Sequence, residues 1–158
     1  MSQSIIETIK QPGIIVVFDV DGVLAPYEWG KNCHHSMPDE EWNLKLANGE
    51  DLYRRIRPVK VLQDFISQKN IDEVYVCSKA GLDELKSKTA FCVKEYGIKP
   101  ENIYLVRQKA EKLVILDKIR DKLGVAEDQI AIVEDTVDTI DMIAERCDYK
   151  TIHVSSFL

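Results

Sequence analysis

Asp19 and Asp21 follow an apolar run at residues 14–18 and precede Gly22. A continuous apolar run is expected of a central strand buried on both faces. A carboxylate at the exit of such a strand is costly to bury unless a cation or hydrogen bonds compensate it, so two of them in that place point to chemistry. Further polar groups stand at comparable boundaries. Ser78 ends the apolar run 74–77, Lys112 opens a helical pattern, and Glu134-Asp135-Thr136 follow the run 130–133. Each alone has a plainer explanation: a strand-end serine is often a cap, a lysine at a helix start is often solvated, and an aspartate after a strand is often an N-cap. Taken together, and in this order, they mark the place where a ligand would bind.

The elements that would position these groups alternate along the chain. Strands are expected at 14–19, 71–78, 102–106, 130–133 and 149–154. A helix opens at Pro58, with Val61, Leu62, Phe65 and Ile66 on one face. Further helices are expected at 82–96, ended by Gly97, at 112–123, ended by Gly124, and at 137–146. In the helix at 112–123, Leu113, Leu116, Ile119 and Leu123 would face inward. Such alternation predicts an α/β fold: a single-domain, doubly wound, mainly parallel five-stranded sheet with helices on both faces. In this architecture ligands bind beyond the carboxyl ends of the strands, where all the singled-out residues fall.

The order of these groups resembles the four motifs of the haloacid dehalogenase (HAD) superfamily, and the resemblance covers nearly the whole chain. Asp19-Val20-Asp21-Gly22-Val23-Leu24 resembles the nucleophile motif, Val74-Tyr75-Val76-Cys77-Ser78 the second motif, and Lys112-Leu113-Val114-Ile115-Leu116 the third. Ile132-Val133-Glu134-Asp135-Thr136 is similar to the fourth, close to the V-E-D-S form of beta-phosphoglucomutase-like members. Lys112 precedes Asp135 by 23 residues, a spacing typical of the family; Lys109 is the fallback. The resemblance implies a Rossmann-like core and a phosphatase in which Asp19 attacks phosphorus and an aspartyl-phosphate forms. Magnesium would be held by Asp19, Asp135 and the Asp21 backbone carbonyl, with Glu134 nearby. Ser78 and Lys112 would contact phosphoryl oxygens. Asp21 would protonate the leaving oxygen and later activate water, kept protonated at the start by neighbouring carboxylates. Gly22 would permit the bend that aims Asp21 inward. An acid at position 21 favours phosphatase or phosphomutase chemistry over dehalogenation. One departure concerns the acid that many members carry four or five residues after the fourth-motif aspartate. Thr139 and Ile140 stand there, Asp138 and Asp141 flank them, and Glu134 is the candidate replacement.

The chain of 158 residues is hydrophobic at 45% and charged at 30%, with net charge −6 and pI about 5.1. One domain with one sizeable core is expected over residues 1–158. The acidic balance argues against dedicated nucleic-acid binding but admits nucleotides, because a bound cation reverses the local sign. The expected substrate is a phosphorylated small molecule or nucleotide, with a phosphoprotein also open. No apolar run is long enough to span a membrane, no signal peptide is evident, and the four cysteines form no CxxC pair, so a reduced, cytoplasmic protein is expected. Cys77 and Cys92 read as small buried hydrophobes.

Residues 25–57 are too short for a helical cap domain and read as a loop-sized insertion, polar and aromatic, with a helix start at 38–42. Tyr27, Trp29 and Trp42 suit stacking on a base or sugar, or a small apolar core over the sheet edge. Cys33-His34-His35 lacks the usual zinc spacing. Arg54, Arg55 and Arg57 suit an anionic substrate or a solvated surface. Arg57-Pro58 loosely resembles a stretch of capless phosphatases that act on protein tails. A binding or regulatory module that keeps the phosphate site without turnover is the alternative function, and a mutase is a third possibility.

Overall fold

A computed structural model describes residues 4–26 and 37–158. Five strands, β1 (Ile15–Phe18), β2 (Val74–Lys79), β3 (Ile103–Val106), β4 (Ile130–Glu134) and β5 (Lys150–His153), form one sheet in the order β3-β2-β1-β4-β5. Every pairing is parallel. The helices are α1 (Ile5–Lys10), α2 (Asp39–Ala47), α3 (Lys60–Ser67), α4 (Leu85–Tyr96), α5 (Glu111–Leu123) and α6 (Val137–Ala144).

Alternation along the strands divides the core in two. Val16, Phe18, Val74, Val76, Ala131 and Val133 pack on one face with Ile9 of α1, Leu62 and Phe65 of α3, and Phe91 and Tyr96 of α4. Ile15, Val17, Tyr75, Cys77, Ile130 and Ile132 pack on the other with Leu116 and Ile119 of α5 and Ile143 of α6. Both faces are therefore covered, which is why the strands read as unbroken apolar runs rather than alternating ones. The expected α/β architecture holds. Cys77 and Cys92 are both fully buried, as expected of small hydrophobes.

The topology also places the site. From β1 the chain steps to β2 and β3 on one side, then returns past β1 to β4 and β5. The direction reverses between β1 and β4, and a doubly wound sheet opens a crevice at its carboxyl edge at such a switch. Phe18 pairs with Val76 on one side and Val133 on the other, so Asp19 and Glu134 leave adjacent strands level with each other.

Several boundaries differ from the sequence reading. The helix start at 38–42 continues as α2 to Ala47. No glycine or proline interrupts it, its first turn carries Asp39, Glu40 and Glu41, and Lys45 pairs with Glu41 at 3.5 Å. Pro58 does not open α3, which begins two residues later with Val59 at its N-cap. Val61 and Leu123 are exposed rather than inward, Val61 at the edge of the apolar stripe of α3 and Leu123 at the last position of α5. Residues 71–73 form a 3-10 turn before β2. The short helix α1, absent from the sequence reading, starts at Ser4, whose Oγ accepts a hydrogen bond from the Glu7 N–H at 3.2 Å. Gly97 and Gly124 do end α4 and α5, each with positive φ. Among the described residues, no helix is long and apolar enough to cross a membrane.

Candidate active site

A cleft of about 390 Å³ opens at the carboxyl edge of the sheet, and Asp19, Asp21, Ser78, Lys112, Glu134 and Asp135 all line it. Asp19 is held at the end of β1 by its backbone N–H, which donates to the Val133 carbonyl at 3.0 Å. The chain then turns sharply. Gly22 has φ +80°, its N–H donates to the Ala25 carbonyl, and the Ala25 N–H donates to that of Val20. A side chain at position 22 would be strained in that conformation, so the glycine expected to aim Asp21 has a conformational reason to be there.

On the β4 side, Asp19, Glu134 and Asp135 can each present one carboxylate oxygen within 4.8 Å of the others. The Lys112 ammonium reaches this group from the first turn of α5, 3.2 Å from Asp19 Oδ1 and hydrogen-bonded to Glu134 Oε1. Burial and the Asp19 charge push the Glu134 carboxyl up to about 7, with Lys112 partly offsetting them. Burial and Asp19 also raise Asp135. Burial opposes the charge on Lys112, but Asp19 and Glu134 outweigh it and hold the ammonium above its usual range. Three carboxylates against one ammonium leave an excess of two negative charges when all are ionised. Crowded, hard oxygen donors with that excess fit a magnesium ion.

On the β2 side the arrangement differs. Asp21 lies outside the group of three carboxylates. Its Oδ1 accepts a hydrogen bond from the Tyr53 hydroxyl at 2.7 Å, and its Oδ2 pairs with Lys88 Nζ at 2.8 Å. The sequence reading set other carboxylates beside Asp21; the structure also sets a cation, Lys88, there. The cause is the turn at Gly22, which points Asp21 toward β2 and α4 instead of β4.

Lys112 is buried against Asp19 and Glu134, while Lys109 is exposed on the cleft wall. Their geometry distinguishes the two lysines that spacing left open. Asp138 and Asp141 are exposed and do not line the cleft. Trp42 packs edge-on against Tyr53, with ring centroids 6.1 Å apart, and its indole N–H donates to Glu84. It belongs to the apolar cover of the sheet. Asn43 and Leu46 of α2 form one wall of the cleft, so part of the insertion shapes the site. Arg54, Arg55 and Arg57 are exposed away from it. Tyr27, Trp29, Cys33, His34 and His35 lie outside the described residues.

Three side chains near the site escaped the sequence reading. Lys88 and Tyr53 bind Asp21, and His153 Nε2 lies 3.2 Å from the Asp135 carbonyl, bracing the exit of β4. Lys88 left a signal. It stands three, four and eight residues before Phe91, Cys92 and Tyr96, on the buried stripe of α4, and a lysine in register with an apolar stripe needs a partner.

No protein-family model matches the chain, and no curated protein matches it in sequence. Solved structures do resemble it. DsGPDH of Dunaliella salina superposes with a TM-score of 0.57 at 16% identity, over 94% of this chain and 24% of that one. The chain thus spans about a quarter of that protein's length, and the likeness is one of fold alone. A Vibrio cholerae protein assigned as a 3-deoxy-D-manno-octulosonate 8-phosphate phosphatase gives a TM-score of 0.48 at 16% identity, over 99% of this chain and 86% of that one.

Proposed function

We propose that this protein is a magnesium-dependent phosphomonoester hydrolase of the HAD type that works through an aspartyl-phosphate on Asp19. The observation that carries this reading is the convergence of Asp19, Glu134, Asp135 and Lys112 at the β1/β4 switch point, with Ser78 and Asp21 on the same cleft. Asp19 and Asp135, with Glu134 and the Asp21 backbone carbonyl, would hold magnesium, which supplies positive charge beside the approaching phosphate. Asp19 attacks phosphorus, and the bond to the leaving oxygen breaks in line. Lys112 neutralises the phosphoryl oxygens, and the Ser78 hydroxyl orients them. Asp21 handles the proton. As a carboxylate it takes a proton from the water that attacks phospho-Asp19, and it gives that proton to the leaving oxygen of the next substrate. Asn43 and Leu46 confine the substrate from the insertion side. A phosphorylated small molecule or nucleotide is the substrate class proposed, with a phosphoprotein as a further candidate.

The test is release of phosphate from an aryl phosphate and a panel of phosphorylated metabolites, with and without magnesium. Turnover that requires magnesium and disappears in Asp19→Asn supports the reading; turnover that survives Asp19→Asn overturns it. A second reading, a phosphate-ligand-binding module without turnover, draws on the fourth motif, where no acid beyond Glu134 and Asp135 reaches the cleft. Calorimetry showing stable, magnesium-dependent binding of a phosphate ligand with no phosphate release would favour it.

A further inference from the structure

The Lys88 side chain is completely buried, in a protein where charged groups at such depth require partners. Its ammonium lies 2.8 Å from Asp21 Oδ2, 2.7 Å from the Lys79 carbonyl and 3.5 Å from Ser78 Oγ. A lysine has three donors, and these three acceptors account for them. Glu84 adds a second carboxylate at 3.9 Å, and the Tyr53 ring face lies 5.6 Å away. Lys88 does not line the cleft, yet its partners Asp21, Ser78, Lys79 and Glu84 all do. Asp21 lies in the turn after β1 and Ser78 in β2, and Lys88 from α4 joins the two beneath the cleft floor. A lysine that only stapled the fold could bind any buried carbonyls. This one, besides the Lys79 carbonyl, reaches two cleft side chains, Asp21 and Ser78, and Tyr53 holds the other oxygen of the Asp21 carboxylate at 2.7 Å.

We propose that Lys88 is a positioning residue for Asp21: with Tyr53 it fixes the direction of the Asp21 carboxyl, and it ties that carboxyl to Ser78. This inference rests on the phosphatase reading for its kinetic consequence, though not for its geometry. Lys88 touches no reacting atom; it sets where Asp21 meets the leaving oxygen. A carboxyl clamped at both oxygens is held near one rotamer, and proton transfer depends on such placement.

The experiment compares Lys88→Gln, Asp21→Asn and the double variant on an alkyl phosphate and on p-nitrophenyl phosphate. The readout is kcat/KM, which reports formation of the phosphoenzyme. The alkyl leaving group needs a proton and nitrophenolate scarcely does. Loss of Lys88 should therefore lower kcat/KM for the alkyl ester about 100-fold and for the aryl ester far less, and it should cost nothing further once Asp21 is Asn. An equal loss on both esters, or losses that add in the double variant, would overturn the proposal and leave Lys88 a structural charge. The double variant removes both partners of the ion pair, so it serves as the folding control where Lys88→Gln alone is unstable. Crystal structures of the wild type, Lys88→Gln and Lys88→Gln/Tyr53→Phe give a readout independent of turnover. The Asp21 carboxylate should leave its position when its clamp is removed, and an unmoved carboxylate would sink the idea. If the wild type hydrolyses neither ester, the phosphatase reading fails while the carboxylate's position still decides the role of Lys88.

Discussion

At the amino end of the sheet, Lys69 sends its ammonium to the carbonyls of Ile9, Gln11 and Ile14 at 2.7–3.1 Å and to Glu73 at 2.9 Å. The other oxygen of Glu73 accepts a hydrogen bond from the Gly13 N–H. One cation meets one carboxylate, backbone carbonyls take up the rest, and the end of α1 is pinned to the start of β1. At the carboxyl end, Lys88 and Lys112 are also buried, but they face Asp21, Glu84, Asp19 and Glu134, with Asp135 beside Asp19. Burial of a lysine is common to both ends. What separates them is the balance: the amino end is neutral and satisfied, whereas the carboxyl end holds more carboxylates than buried lysines can neutralise. An end that folding alone had shaped would resemble the first. The surplus at the second is a cost to the metal-free fold that the proposed magnesium would offset.

The largest expected effect would break the comparison at its functional end. Asp19→Asn should lower magnesium-dependent phosphate release by at least about 10,000-fold, while circular dichroism shows an intact fold. Asp135→Asn should raise the magnesium concentration needed for half-maximal activity by about tenfold or more, and a magnesium titration of the rate reads this directly. The amino end should respond in the opposite sense. Lys69→Met takes the ammonium away from three carbonyls and leaves the buried side of Glu73 without its cation, so urea denaturation should show a loss of about 3 kcal/mol, with activity per folded molecule unchanged.

A smaller effect sharpens the idea of surplus charge. Burial and Asp19 raise Glu134 from the ordinary carboxyl value to about 7 in the fold. Folding therefore favours its protonated form. That contribution is fully present below the unfolded value, near 4.5, and is lost as pH rises through about 7. Between pH 5 and 8 the metal-free wild type should lose about 2 kcal/mol more stability than Glu134→Gln, and saturating magnesium should shrink the gap. Equal pH slopes for the two proteins would remove the surplus. Last, Gly124→Ala ends α5 at the satisfied end, where φ is +63° and an added Cβ meets nothing within 4 Å. The cost should be about 1 kcal/mol of backbone strain, with no change in the rate.

The five strands, the main helices and the glycine stops of α4 and α5 were legible because local signals sufficed: apolar runs, helical spacing and residues that tolerate positive φ. The residues Asp19, Asp21, Ser78, Lys112, Glu134 and Asp135 were legible as candidates because each sits at an element boundary, and boundaries are local too. What failed depended on neighbours distant in sequence. Val61 and Leu123 obey the helical period, yet Val61 falls beside the stripe that α3 buries and Leu123 stands at the last position of α5, where the covering ends. Trp42 and Tyr53 gave no hint of partners because Glu84 and Asp21 lie 42 and 32 residues away from them.

The sequence by itself determined the α/β alternation, the apolar strands and the chemical inventory at their exits, since these follow from side-chain pattern and spacing along one chain. Only the tertiary structure decided how that inventory is divided. The return of the chain past β1 sets Asp19 beside Glu134 and Asp135 and brings Lys112 among them. The turn at Gly22 sends Asp21 the other way, to Lys88 and Tyr53. Pairing between groups 60 or more residues apart, as between Lys88 and Asp21, depends on which strands become neighbours, and strand order is a property of the packed sheet.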